Sequence, residues 1–137
     1  MRRRHDMSID ISNPAELHDP TGFGYSHVAR VRGDLVFIAG QYDSDADGHT
    51  TSDDFATQVQ RAFANLGVAL RSAGLDYADV FQLRTFIVDH DLGKLEVLGK
   101  QIAAIWGDRP PVQTLSGVAA LAMPDMLFEV DAVAAAS

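Results

Sequence analysis

The chain has 137 residues, 47% hydrophobic and 22% charged, which predicts one folded domain with a core of ordinary size and excludes a disordered tail. It has no cysteine, which excludes disulfides, thiol nucleophiles and thiolate metal sites and suits a reducing cytoplasm. Eleven Lys and Arg against nineteen Asp and Glu give a net charge of −8, a surface that repels phosphate backbones, so nucleic acid is not an expected partner.

In chain order, residues 1–20 mix Arg, Asp, Asn, Pro and His with little periodicity. They are expected to form an N-terminal arm or edge segment, with the domain proper at 21–137. Arg2-Arg3-Arg4 precedes no apolar run of signal-peptide length, Met7 could be the natural start, and no window approaches a membrane span. Tyr25–Arg32 alternates, with Tyr25, His27, Ala29 and Val31 on one side; Gly33-Asp34 and the apolar run Leu35–Ala39 follow. This predicts a β-hairpin with a two-residue type II′ turn, closed by Gly40-Gln41.

Residues 43–54 form an acidic loop with Asp43, Asp45, Asp47 and Gly48 at the spacing of a calcium loop and Asp54 at its twelfth position. A preceding strand and an Asp in place of the usual final Glu speak against calcium, and a solvated loop that starts a helix explains the same residues. That helix carries Phe55, Val59, Ala62, Phe63, Leu66, Ala69, Leu70 and Ala73 at three- and four-residue steps. Thr51 or Ser52 is the expected N-cap, and Gly74 the expected left-handed stop. Val80–Val88 reads as a strand with Gln82, Arg84, Phe86 and Val88 on one face. A second helix from about Asp91 to Trp106 has the stripe Leu95, Leu98, Ile102, Ile105 and can end at Gly107.

The last quarter contains two apolar runs, Val112–Leu121 and Met126–Ala134, around Ala122-Met123-Pro124-Asp125. They predict two strands joined by a tight turn. In the second, Leu127, Glu129, Asp131 and Val133 share one face, and Met126, Phe128, Val130 and Ala132 the other. The whole order, β-β-α-β-α-β-β, predicts an α+β domain: one mixed sheet with both helices on one face. No further helix remains to cover the other face, so self-association is the economical way to bury it.

Pro111-Val112-Gln113-Thr114, Gly117-Val118-Ala119-Ala120-Leu121 and Glu129-Val130-Asp131-Ala132 resemble the C-terminal signature of the RidA/YjgF family, and Tyr25-Ser26 and Ala39-Gly40-Gln41 resemble its early motifs. The resemblance covers about Gly22 to Ala134. It implies a chorismate-mutase-like fold, a homotrimer around a barrel-like centre, clefts between subunits, and deaminase-type hydrolysis of enamines or imines. Two departures stand out. Phe23-Gly24 replaces the family's glycine-proline, and Gln113 replaces its substrate-binding arginine.

In that family the glutamate matching Glu129 helps position the water that attacks the imine carbon; a solvent-facing strand carboxylate is the bland alternative. The arginine clamps a substrate carboxylate through two charge-assisted hydrogen bonds. Glutamine loses a hydrogen bond to a charged group, about 1.5–3 kcal/mol, or roughly ten- to a hundredfold in affinity. A neutral carbonyl, amide or uncharged imine therefore fits better than an imino acid. The plain alternative for Gln113 is a residue that caps a strand. Arg84 either supplies the missing cation or reaches solvent or a salt bridge. Tyr25 and Ser26 match the cleft-lining segment, Tyr25 being equally well an aromatic anchor, and Gln41 could line the same cleft. The five His residues show no metal-ligand pairing, and His27 and His90 read as surface or interface side chains. No phosphate loop, dinucleotide fingerprint or nucleophile elbow occurs, so no cofactor is expected. Three functions compete: a hydrolase with altered substrate preference, a metabolite-binding trimer without chemistry, and a ribonuclease, against which the net charge argues.

Overall fold

The computed structural model describes residues 8–136, so the Arg2–Arg4 triplet and Met7 lie outside the described residues. Six strands and two α-helices follow in the order β1 (Ile9–Ser12), β2 (Val28–Val31), β3 (Asp34–Gln41), α1 (Phe55–Ser72), β4 (Val80–Val88), α2 (Leu92–Trp106), β5 (Val112–Val118) and β6 (Phe128–Ala136). β1 and β2 form a two-stranded antiparallel sheet; the others form a four-stranded mixed sheet in the order β3-β6-β4-β5. The α+β, chorismate-mutase-like class expected from the sequence is the observed one. Strand β1 arises within the segment expected to be an arm.

Both helices pack on one face of the large sheet. Val59, Phe63, Leu66 and Leu70 of α1 and Leu98 and Ile102 of α2 meet Leu83 and Ile87 of β4 and Phe128, Val130, Ala132 and Ala134 of β6. The alternation read in the sequence is the one that folds: even positions of β6 are buried and odd ones half-buried up to Val133. Asp54 caps α1, accepting from the Thr57 N–H, where Thr51 or Ser52 was expected. The reason lies in Asp43, which is fully buried and accepts from the Thr51 and Ser52 N–H groups, the Thr51 hydroxyl and Arg61 Nε. Those two residues complete the loop's own latch, which leaves Asp54 next to the helix. Gly74 follows α1 at φ 77°, the expected left-handed stop.

Neither expected hairpin forms. Asp34 already belongs to β3, paired with Ala136, while the Arg32 N–H donates to the Ser8 carbonyl and prolongs the β1 pairing. The two strands around Gly33 therefore belong to different sheets. At the C-terminal end, α2 carries the chain back so that β5 runs parallel to β4, outside it, and β6 then inserts between β3 and β4, antiparallel to both. The connection between β5 and β6 is a crossing strap, not a tight turn. Gln58, fully buried on α1, holds it: its amide nitrogen donates to the Ser52 and Asp125 carbonyls, and its oxygen accepts the Leu127 N–H at 2.8 Å.

Gln58→Leu keeps the volume but leaves three part-buried backbone groups without their Gln58 partner. It should cost about 3 kcal/mol and lower Tm by roughly 10 °C. Calorimetry checks this, and a shift within the error of the measurement would show that the strap does not depend on Gln58.

Candidate functional site

The strand register decides which expected site residues meet. Gln113 lies opposite Leu83, which faces the helices, whereas Glu129 lies opposite Phe86, on the other face. Directly paired residues share a face, so within one subunit the amide of Gln113 and the carboxylate of Glu129 point to opposite sides of the sheet. They also come from strands separated by β4, not from adjacent ones.

On the helix side, at the β5 edge, a cavity of about 690 Å³ is lined by His18, Tyr25, Leu95, Leu98, Gln113 and Leu115, among others. Gln113 is held at both ends of its amide. Its nitrogen donates to the Gly24 carbonyl at 3.0 Å, and its oxygen accepts the Thr85 hydroxyl at 2.9 Å. A carbonyl can only accept, which fixes the amide's orientation. One N–H and one lone pair remain for a ligand, too little for a two-pronged carboxylate clamp. Thr85 is itself fully buried. Tyr25 reaches this cavity with its hydroxyl 2.7 Å from His18 Nε2. Ser26 does not turn toward it: the residue is buried and its hydroxyl donates to the Pro110 carbonyl, which fastens this segment to the start of β5.

On the open face a second cluster forms. Arg84 donates from Nε and Nη2 to the Asp131 carboxylate, at 3.0 and 2.6 Å, and stacks over Phe86. It stands on the face opposite the Gln113 cavity and within this chain gives it no charge. Glu129 packs so closely against Gly40 of β3 that a side chain there would overlap its carboxylate. Burial, and then the Asp131 charge beside it, push the Glu129 carboxyl above the usual carboxylate range. Gln41, at the end of β3, folds its amide nitrogen onto the Ala39 carbonyl. The β3 edge is three strand spacings, roughly 14 Å, from the β5 edge.

The calcium arrangement fails on its first and last ligands: both Asp43 oxygens are consumed by the latch, and Asp54 caps α1. Exposed Asp45, Asp47 and His49 remain near one another, but an Asp45 oxygen already accepts two loop N–H groups. Among the described residues, no helix is long and apolar enough to cross a membrane. The sequence reading missed His18 and Thr85. A lone polar residue between Leu83 and Ile87 on a core-facing strand side was the signal for Thr85, since buried hydroxyls need partners.

A carboxyl whose folded-state pKa is raised costs stability only while ionised. The cost is absent below the unfolded carboxylate range, grows as pH rises through it, and is complete above the folded value. Glu129→Gln should therefore melt above the parent protein at neutral pH, and the gap should close in acid. Thermal melts across pH check this; a gap independent of pH would remove ionisation as its cause.

The family described as Endoribonuclease L-PSP matches residues 18–136. RutC family protein YjgH of Escherichia coli is 42% identical over 57 residues, which span 42% of this chain and 43% of that protein. Among solved structures, the Rid family protein YyfB of Yersinia pestis superposes with a TM-score of 0.90 at 35% identity, covering 95% of this chain and all of that one. Rv2704 of Mycobacterium tuberculosis gives 0.65 at 29%, covering 94% of this chain and 100% of that one. With the fold, the register and these matches in agreement, the chain belongs to the RidA/YjgF family, also described as Endoribonuclease L-PSP.

Proposed function

We propose that this chain is a RidA-type small-molecule hydrolase that works as a cytoplasmic homotrimer and prefers neutral imines or enamines to imino acids. The observation that carries this reading is the split of the site. Tyr25 and Gln113 line a cavity at the β5 edge, while Glu129, with Gly40, lies toward the β3 edge on the open face. A head-to-tail ring of identical chains brings one edge of each copy to the opposite edge of the next. In that ring the Glu129 carboxylate of one copy completes the Gln113 cavity of its neighbour. Exposed Leu35 and Phe37 on β3, 51% and 72% accessible, give the open face an apolar surface for such an association.

In the reaction, water adds to the carbon of the C=N bond, ammonia leaves, and a carbonyl remains. Glu129 orients the water and takes its proton; a carboxyl held above the usual range is the better base for this. Gln113 offers the substrate one uncharged N–H. A neutral imine therefore loses less on entering than a carboxylate does.

A second reading, a binding trimer without chemistry, is favoured by one observation: among the described residues, no carboxylate of the same chain lines the cavity. Ribonuclease activity, named in the family's description, fits poorly with a net charge of −8.

Sedimentation should give a trimer. A neutral imine generated in solution from an N-chloro amine should be hydrolysed, with at least about a hundredfold loss in Glu129→Gln. Gln113→Arg should shift preference toward an imino acid by about tenfold or more. A monomer, or full activity in Glu129→Gln, would overturn the hydrolase. Ligand-dependent stabilisation without product would leave the binding trimer.

A further inference from the structure

The segment before β2 is built to bring two side chains seven residues apart onto one cavity wall. Asp19 accepts the Thr21 N–H and hydroxyl at 3.0 and 2.7 Å, and the Phe23 and Gly24 N–H groups return to Pro20 and Thr21. Gly24, at φ 88°, completes the reversal in a conformation that side-chain-bearing residues rarely adopt. His18 is held from behind: His27 Nε2 donates to its carbonyl at 2.8 Å, and the two rings meet edge to face with centroids 4.9 Å apart. The His27 N–H is in turn fixed by the Asn13 side chain at 2.7 Å. His18 Nε2 then faces the Tyr25 hydroxyl at 2.7 Å.

This pair has two electronic arrangements. If Nε2 is bare, Tyr25 donates to it and shows a ligand only lone pairs. If Nε2 carries the proton, the Tyr25 oxygen accepts and its own proton is free for the cavity. His18 is also the one lining side chain, among the described residues, that can carry a positive charge. The free N–H of Gln113 is a second donor on the same cavity.

We propose that His18 is a positioning residue: with its proton on Nε2 it turns the Tyr25 hydroxyl into a donor, and Tyr25 and Gln113 together select neutral ligands with two neighbouring hydrogen-bond acceptors, of the 2-oxo amide or 2-imino amide type. This deepens the proposed function and rests on its reading of the cavity. A purely structural histidine would tie the turn together but would not set the direction of the tyrosine's proton.

The test is calorimetric titration with 2-oxobutanamide, and with 2-oxobutanoate as its anionic counterpart, on the full chain. The amide should bind more tightly than the anion. His18→Phe, which keeps a ring in place, and Tyr25→Phe should each weaken amide binding about tenfold. The double variant should be no weaker than either single one, because both remove the same oriented proton. His18→Gln, whose amide N–H can meet the same hydroxyl, should bind within about threefold of the parent. Imidazole ¹⁵N shifts should report a protonated His18 Nε2. Parent-like binding by His18→Phe, losses that multiply in the double variant, or a bare Nε2 would overturn the His18 assignment alone. Failure of the parent to bind either probe would overturn the cavity reading and this assignment with it.

Discussion

The separation of Gln113 from Glu129 follows from the insertion of β6 between β3 and β4. That strand is antiparallel to both neighbours, and Phe128, Val130, Ala132 and Ala134 all sit beneath the helices. With the middle of the sheet taken, β5 has only the outer side of β4 left, and it lies there parallel, as a helical crossover requires. Gln113 thereby becomes an edge residue facing α2. The same strict alternation sends Glu129 and Asp131 the other way. One strand placement thus separates the amide from the acid.

The polar groups are largely self-satisfied before any ligand arrives. Arg84 and Asp131 neutralise each other on the open face, and the Gln113 amide spends one donor and one lone pair inside the fold. No buried side-chain polar atom among the described residues lacks a partner. What remains free in the cavity is sparse, and no Asp, Glu, Lys or Arg among the described residues joins Leu95, Leu98 and Leu115 in its lining. A small apolar enclosure with a few directed donors recognises shape and acceptor placement more than net charge. That is the physical root of the preference argued for neutral ligands.

Much of this was legible in the residues. The three- and four-residue steps gave both helices, and the two-residue alternation gave the faces of β4 and β6. Strand pairing was not legible from neighbouring runs alone. Pro124-Asp125 reads as a turn and does lie in one, but that turn belongs to a strap anchored by Gln58, and nothing in the local pattern distinguishes the two. The long helix before β5 was the better guide, since two strands flanking a helix usually pair in parallel. The candidate site was legible as residues and not as an arrangement. Tyr25 and Gln113 share a cavity, whereas Ser26 and Arg84 are spent on Pro110 and Asp131. His18 escaped notice because its role depends on a reversal at Gly24 that brings it back to Tyr25.

The register that joins Asp34 to Ala136 has a kinetic consequence. These partners lie about three quarters of the chain length apart, so the sheet cannot close until a highly non-local contact has been made. Contacts of such large sequence separation slow folding, because loop-closure entropy is lost before pairing compensates it. Until then the side of β3 that takes β6 stays unpaired, and in that interval the chain is most open to capture by chaperones or to aggregation.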